Sequence, residues 1–401
     1  MNNHFFQTEK KVKIKLARDL VKHLKRGNPW IFKDALVEIP KNATGSLATL
    51  IDRNNDIVAK GFFDEGINLC FRKIALQHEK MNDELIIERL DLALKLRLGL
   101  FNEHLNAMRL INGEGDELPG IVVDLYHDIA VLKLDGEGSN LFWNKSAIAE
   151  YFKKQKYFKV RDFYFKKKNK DSEKGELLFG IGTDLKHKVF TEYDAKFITN
   201  IIDGAKTGFF LDQRENRKII KSVARDLDVL NLFSYTGGFS IQAGLGGAKK
   251  VTSVDIAPEA IKLTEEIWSL NQINGEHIGV CADVFKFLAD KKAAKIQWDL
   301  VITDPPSFAP NHDSREKAMA AYLEIYANSI LLTKTHGLFA ASSCTGHLSM
   351  EEFLDITKEA FSRAKRRGKV VVLSGQPQDH PFPLNLPQAR YLKFALFQVF
   401  E

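Results

Sequence analysis

The sequence predicts an α/β protein with a doubly wound parallel sheet in its C-terminal half. A small β-barrel module and a mixed α+β middle precede it. Three observations carry that expectation. From Asp228 onward, short apolar strands alternate with helical stretches, the pattern that builds parallel sheets covered on both faces. Two of those strands end in chemically useful residues, Asp304 and Cys344. Between Leu47 and Lys73 the chain instead shows short β runs separated by turns, as small barrels do.

The run Trp298-Asp-Leu-Val-Ile-Thr-Asp304 stops at Pro305-Pro306. A proline pair cannot continue a sheet, so Asp304 is expected at the strand's carboxyl end. A helix near Arg315 to Leu332 follows. The run Gly337 to Ser343 then reads as a second buried strand, ending at Cys344. Parallel strands joined by one helix are neighbours or near neighbours, and ligands bind beyond their carboxyl ends. One carboxylate and one thiol are therefore expected to face the same crevice.

Composition narrows the class. The chain has 401 residues, enough for two or three domains at ~150 residues each. No apolar run approaches the ~18 residues that a membrane helix needs. The first residues lack an apolar core behind a basic start, which argues against a secretory signal. Cys70, Cys281 and Cys344 lie far apart without a C-x-x-C. That argues against a zinc site, an iron–sulfur cluster or a disulfide framework, and for a reducing cytoplasm; no metal is expected. The net charge is +6, and its distribution matters more than its size.

Taken in order, the first thirty-odd residues are basic. Lys25-Arg26-Gly27-Asn28-Pro29-Trp30 sets cations beside a turn and an aromatic ring. Cations neutralise phosphates and an aromatic face can stack on a base, so Lys25, Arg26 and Trp30 are candidate RNA contacts. The plainer reading is a solvated charged surface with Trp30 in a small core. Asn82 to Gly99 has helical apolar spacing. Arg109 to Gly120 reads as a turn leading into a strand at Ile121–Asp124, and the next strand spans Asp128 to Leu134. Lys153 to Lys170 reads as an exposed hairpin or a nucleic-acid path. Phe190 to Ile201 reads as a short strand pair. Asp212 with Glu215 three later matches a helix N-terminal capping box. The strands then expected are Asp228–Phe233, Lys250–Ile256, His277–Ala282, Trp298–Thr303, Gly337–Ser343, Lys369–Ser374 and Tyr391–Phe400. Cys70 and Cys281 sit inside apolar runs and read as core residues.

The segment Val229 to Ser240 is strand, glycine turn, helix. Glycines there admit unusual φ angles and close approach of a ligand. The next two strands end in Asp255 and Asp283. An acid after the second strand can accept from both ribose hydroxyls, and Asp283 is placed to meet an adenine amino group. A dinucleotide fold would want G-x-G-x-x-G around a pyrophosphate. Thr236-Gly237-Gly238-Phe239 offers only adjacent glycines, and Asp304 would repel phosphate. A nucleoside cofactor without phosphates, S-adenosylmethionine, fits better.

Asn231-Leu-Phe-Ser-Tyr-Thr-Gly-Gly-Phe, Asp255, Asp283 and Asp304-Pro-Pro resemble motifs of class I S-adenosylmethionine-dependent methyltransferases. More narrowly, the chain is similar to the bacterial large-subunit rRNA cytosine-5 methyltransferase I family. Asn28-Pro-Trp-Ile-Phe, Asp116-Glu-Leu-Pro-Gly-Ile-Val-Val-Asp, Lys206-Thr-Gly-Phe-Phe-Leu-Asp-Gln-Arg, Ser343-Cys-Thr-Gly, Asp379-His-Pro and Tyr391-Leu-Lys carry that likeness. The resemblance implies a PUA-like RNA-binding domain over 1–76, a central α+β domain over 77–203 and a Rossmann-like methyltransferase domain over 204–401. It implies RNA, 23S rRNA, as partner, and it leaves a homodimer open. It places Gln213, Arg214, Phe233, Ser234, Asp255, Asp283 and Asp304 near the cofactor. Asn231, Tyr235, Thr236, Gly237, Gly238, Ile256 and Val284 join them as expected cofactor contacts. Cys344 is implied as nucleophile. Two departures border this region. Ser307 stands where lysine is usual after Asp-Pro-Pro, and Tyr322 to Tyr326 differs from the family pattern.

The expected chemistry is covalent catalysis on cytosine, with Cys344 adding to C6 and Asp304 as an acid at N3. Two other readings remain. Methylation of an exocyclic amine such as guanine N2 needs no thiol, and Ser307 after Asp-Pro-Pro weakens it. An RNA-binding assembly factor would use the N-terminal module alone. An isolated Cys344 would more simply be an inert core residue.

Overall fold

The computed structural model of the protein describes residues 4–167, 175–308, 315–346 and 348–401. The chain divides into two compact units. The first comprises Met1–Phe190, Thr199–Leu211 and Gln378–Pro387. The second comprises Thr191–Ile198, Asp212–Pro377 and Gln388–Glu401.

The first unit holds two five-stranded sheets. One contains β1 (Lys11–Lys15), β2 (Trp30–Phe32), β3 (Leu47–Ile51), β4 (Ile57–Phe63) and β5 (Leu69–Leu76), in the order β1-β3-β4-β5-β2. The short helix α1 (Val21–Lys25) precedes β2. Alternating burial along β3 and burial of five of the eight β5 residues wrap these strands around a core of Ile14, Leu24, Leu50, Phe63 and Phe71. Helix α2 (Asp83–Leu98) follows, capped by Asn82, whose side chain accepts from the Leu85 N–H. The second sheet contains β6 (Ala107–Asn112), β7 (Ile121–Tyr126), β8 (Ile129–Leu134), β9 (Asp162–Phe165) and β10 (Glu176–Phe179), in the order β10-β9-β8-β7-β6. Helices α3 (Gly136–Phe142) and α4 (Lys145–Lys154) connect β8 to β9.

Two expectations for this unit need correction. Arg109 to Asn112 is strand rather than turn, because it pairs with β7. The lysine-rich run from Lys153 is no exposed hairpin. Its first residues end α4, and Asp-Phe-Tyr-Phe of β9 is fully buried between β8 and β10. The lysines mark the flanks, while the strand between them was hidden by their charge. Residues 168–170, the end of that run, lie outside the described residues.

Three of the sequence motifs anchor this unit. The Thr207 hydroxyl donates to Asp124 at 2.6 Å. Gly208 adopts φ +149°, and a Cβ there would lie 2.5 Å from Thr199 Oγ1. Asp379 is fully buried and accepts from the Arg109 N–H at 2.9 Å. Arg97, also fully buried, donates to the Asp379 carbonyl and forks onto Asp116 at 2.7 and 2.8 Å. A bidentate pair of this kind satisfies a charge that burial would otherwise penalise by several kcal/mol.

The hairpin β11 (Lys188–Glu192) and β12 (Ala195–Thr199) is shared in sequence between the units. Helix α5 (Arg214–Val223) opens the main body of the second. Its strands are β13 (Asp228–Leu232), β14 (Lys250–Asp255), β15 (Glu276–Cys281), β16 (Trp298–Thr303), β17 (Thr333–Ser343), β18 (Arg367–Ser374) and β19 (Lys393–Phe400). Helices α6 (Gly238–Leu245), α7 (Pro258–Leu270), α8 (Val284–Ala293), α9 (Arg315–Leu331) and α10 (Met350–Arg363) alternate with them. The sheet order is β15-β14-β13-β16-β17-β19-β18. Strand β16 is buried at every position but Asp299, which is why it reads as one continuous apolar run.

The sheet is not wholly parallel. β19 pairs antiparallel with both β17 and β18. No α-helix separates β18 from β19, only the 3-10 turn Pro387–Ala389, so the chain re-enters from the edge at which β18 left it. The capping box expected at Asp212 is also absent. Leu211–Gln213 form a 3-10 turn, Gln213 occupies the cap position without a side-chain capping bond, and Asp212 accepts from Tyr391 Oη at 2.8 Å. A complete capping box stands instead at Ser349 and Glu352, at the start of α10. Cys70 is buried as expected, and burial pushes its thiol up to about 11. Cys281 is exposed, because β15 is an edge strand.

His277 on β15 accepts or donates at Ser253 Oγ (2.8 Å) and stacks on Trp268. Burial lowers its pKa from 6.5 to about 4. The folded state therefore holds this ring neutral where the unfolded chain would protonate it. The associated stability is present above about pH 6.5 and is lost as pH falls towards about 4. Urea midpoints across that window are expected to fall less steeply in His277→Gln than in the unaltered protein.

Candidate active site

The turn between β13 and α6 is built from backbone that few side chains favour. Phe233, Tyr235 and Gly237 adopt φ of 57°, 47° and 76°. Ser234 N donates to the Val254 carbonyl, and Gly237 N closes onto the Ser234 carbonyl at 2.9 Å. A Cβ at Gly237 would lie 2.2 Å from Thr264 Cγ2, so glycine is required by space as well as by φ. Gly238 is the first residue of α6, whose opening N–H groups have no intrahelical partner. Tyr235 N donates to Asp255 Oδ2 at 2.8 Å and Ala257 N to Oδ1 at 3.0 Å. One carboxylate thus fastens two consecutive strand ends and keeps a further acceptor position on each oxygen.

The other expected cofactor residues divide into two sets. Ile256 is 69% exposed and Asp283 is exposed, so both reach the surface at the strand ends. Asp283 caps α8, accepting from the Lys286 N–H through Oδ1. Asn231 and Val284 are buried, and Phe233 packs against the core. Asn231 donates to Ser240 Oγ at 2.8 Å, which continues to Ser253 at 2.7 Å. It braces the turn from beneath. The Ser234 and Thr236 hydroxyls are buried and have no protein partner. Two unpaired hydroxyls, a helix N-terminus and two strand-end carboxylates make a donor and acceptor set suited to a nucleoside-containing ligand.

Asp304 follows β16 and Cys344 follows β17. These strands are parallel neighbours with Thr303 paired to Ala341, so both residues emerge at one edge of the sheet. Gln213 ties that edge together. Its amide donates to Asp304 Oδ1 at 2.9 Å and to Ser342 Oγ at 2.8 Å, and its carbonyl accepts from Asn216 at 2.6 Å. Arg214 is fully buried and contacts Glu215 at 3.3 Å. Cys344 is partly exposed, unlike an inert core cysteine.

The backbone on both sides of Cys344 is held by side chains whose partners the sequence patterns did not reveal. Tyr326 Oη donates to the Ser342 carbonyl at 2.6 Å. Tyr322 Oη lies 2.8 Å from Thr345 Oγ1, which is 3.2 Å from Ser307 Oγ. Lys393 Nζ donates to the carbonyls of Thr345 and Tyr391. Burial pushes both phenols above their usual range, and the charges of Cys344 and Asp304 add to that rise. Tyr322 and Tyr326 are one helical turn apart on α9, a spacing that could have marked them as one face. Tyr391-Leu-Lys was visible as a motif, but nothing in the sequence said which carbonyls its lysine meets.

The RNA candidates belong to the first unit. Lys25 and Arg26 are exposed at the end of α1. Trp30 is half-buried, and its ring N–H donates to Glu114 Oε1 at 2.9 Å. It is neither a free stacking platform nor a sealed core residue.

Comparison with known proteins agrees with these features. Residues 159–318 match a model described as S-adenosylmethionine-dependent methyltransferase, and residues 14–72 match a PUA-like domain. A Streptococcus mutans protein solved under the description of a SAM-dependent methyltransferase superposes with TM-score 0.86. It is 23% identical and covers 96% of this chain and 100% of its own. That likeness concerns the fold, which is that of a PUA-like module joined to a class of enzyme using S-adenosylmethionine. A "Ribosomal RNA large subunit methyltransferase" of Deinococcus radiodurans is 32% identical over 97% of this chain and 98% of its own. A "Ribosomal RNA large subunit methyltransferase I" of Alteromonas mediterranea is also 32% identical, over 94% and 96%. The chain belongs to this family of S-adenosylmethionine-dependent methyltransferases. Among the described residues, no group of His, Cys, Asp and Glu could hold a metal, and no helix is long and apolar enough to cross a membrane.

Gly237→Ala tests the glycine turn. Forcing a Cβ against Thr264 at positive φ is expected to cost about 1–3 kcal/mol of stability. Thr264→Ala in the same chain should recover part of the loss, as read from urea denaturation midpoints.

Proposed function

We propose that this protein methylates C5 of a cytosine in large-subunit rRNA through a covalent adduct at Cys344. The observation that carries the reading is the emergence of Asp304 and partly exposed Cys344 from adjacent parallel strands. Large-subunit rRNA is the substrate class named for the relatives, and the PUA-like module is the part that would meet RNA. The N-terminal domain is taken as 1–76, the central one as 77–203 and the catalytic one as 204–401. Lys25 and Arg26 are the proposed phosphate contacts, and Trp30 lies beside them.

S-adenosylmethionine, when bound, supplies an electrophilic methyl group on a sulfonium. Asp255 would accept from the ribose hydroxyls and Asp283 from the adenine amino group. Ile256 would lie against the adenine, and the Ser234 to Gly238 turn would carry the remaining contacts with Tyr235 and Thr236. Asn231, Phe233, Val284 and Arg214 would support that cradle from behind. Gln213 would orient Asp304 at the edge shared with Cys344.

Cytosine C5 is a poor nucleophile in the intact ring. Addition of the Cys344 thiolate to C6 converts C5 into an enamine-like carbon able to accept an electrophilic methyl. Asp304, protonated and hydrogen-bonded to N3, disperses charge from the ring during that addition. Loss of the C5 proton to a water molecule then expels the thiolate and restores the aromatic ring. The target base must leave any stack to reach the sulfur.

Cys344→Ala is expected to abolish methyl transfer to rRNA while S-adenosylhomocysteine still binds by calorimetry. RNA carrying 5-fluorocytidine should form a denaturation-stable adduct with the unaltered protein and none with the variant. Full turnover by the variant would point to amine methylation. Lys25→Ala with Arg26→Ala is expected to weaken RNA binding across sequences. The salt slope should fall by roughly one for each phosphate that is no longer neutralised.

A further inference from the structure

Lys393 is a buried cation beside the thiol. It stands on β19 directly opposite Ser343 in the register with β17, one residue before Cys344. Its residue is 1% exposed. The two acceptors that its amine meets, the carbonyls of Thr345 and Tyr391, are neutral. A buried ammonium held only by neutral carbonyls is costly, and a nearby anion offsets that cost. Cys344, the residue bonded to Thr345, can supply that anion by losing its proton.

We propose that Lys393 is a positioning residue whose ammonium group keeps Cys344 as a thiolate and fixes the peptide that follows it. The proposal rests on Cys344 being the nucleophile. Lys393 neither gains nor loses a proton in this role, and the thiol's proton passes to solvent. The electrostatics run both ways. Burial pushes Lys393 down to about 8, and the charge on Cys344 pulls it back up. The same attraction must favour the thiolate.

Other groups bear on the pair from each packed element. Arg390, ahead of β19, opposes a charged Lys393. Asp304, from β16, is a like charge to the thiolate whenever it is ionised, before it takes up the proton it presents to N3, and it acts on the same two phenols of α9 as Cys344 does. Those phenols, Tyr322 and Tyr326, stay neutral because burial raises them. Lys393 is the cation bonded directly to the backbone beside the sulfur.

The test is the pH dependence of Cys344 alkylation by iodoacetamide in the full chain, followed by peptide mass spectrometry between about pH 6 and 10. Lys393→Gln and Lys393→Met should raise the midpoint for Cys344 by about one pH unit or more. Lys393→Arg should keep it near the original value. Exposed Cys281 is an internal reference whose profile should not move. An unchanged Cys344 midpoint in the Gln and Met variants overturns the proposal. Should both variants unfold, Cys344→Ser in an otherwise intact chain reads the pair from the other side. The Lys393 midpoint, followed by NMR of 15N-labelled lysine, should then fall, and an unmoved midpoint likewise overturns the proposal. Turnover by Cys344→Ala separates the two readings: a shifted alkylation midpoint with that variant still active keeps the ion pair and removes its catalytic use.

Discussion

The parallel pairing of β16 with β17 is the constraint on which the site depends. With Thr303 opposite Ala341, the chain directions and lengths of these strands leave Asp304 and Cys344 at one edge. A slip of one residue would turn every side chain of a strand to the other face. The register is guarded by burial, since both strands run through the core that includes Val301, Phe339 and Ala341. It is also guarded by polar contacts at the edge itself. Gln213 bonds to Asp304 and to Ser342, so a slip would break a three-way arrangement in which Gln213 and Ser342 are buried.

The glycine turn illustrates a second cost met by the fold. Two non-glycine residues in the left-handed region, Phe233 and Tyr235, are unfavourable locally, while Gly237 takes that conformation freely. Asp255 compensates by accepting from Tyr235 N, and the buried chain Asn231–Ser240–Ser253 locks the turn's underside. The strain is therefore held by the strands on either side of it. That arrangement leaves the helix N-terminus and the hydroxyls of Ser234 and Thr236 without protein partners. A ligand meeting them would gain hydrogen bonds the folded chain does not make for itself.

Most of the second unit was legible because strands buried on both faces are continuous apolar runs. The ends of such runs are where a polar residue first appears, so Asp255, Asp283, Asp304 and Cys344 could be read directly. Direction was not legible: β19 is as apolar as β16, and only the missing helix after β18 told them apart. Burial at a sheet edge was not legible either, hence the exposed Cys281. Asp212 and Glu215 had the spacing of a cap, but the 3-10 turn at Leu211–Gln213 shifted the helix start by one residue. Sequence patterns report local preference, and here the tertiary bond from Tyr391 decided the outcome.

What the sequence could least express is how Cys344 is held. Its neighbours contribute backbone atoms, and backbone acceptors carry no sequence signature. The Ser342 carbonyl is taken by Tyr326, the Thr345 carbonyl by Lys393, and the Thr345 hydroxyl by Tyr322. These three side chains come from two elements, α9 and β19, that reach the end of β17 independently. They fix the residues on either side of the cysteine and leave the cysteine itself partly exposed. The core cysteine Cys70 is held differently, sealed inside β5 with its thiol donating to the Ile31 carbonyl at 3.5 Å. Ser307 fits the same logic. It stands beside Thr345, so at the position after Asp304-Pro-Pro this chain adds a small hydroxyl to the clamp. The positive charge at this edge then comes from β19, across the pairing that also sets the register of the thiol.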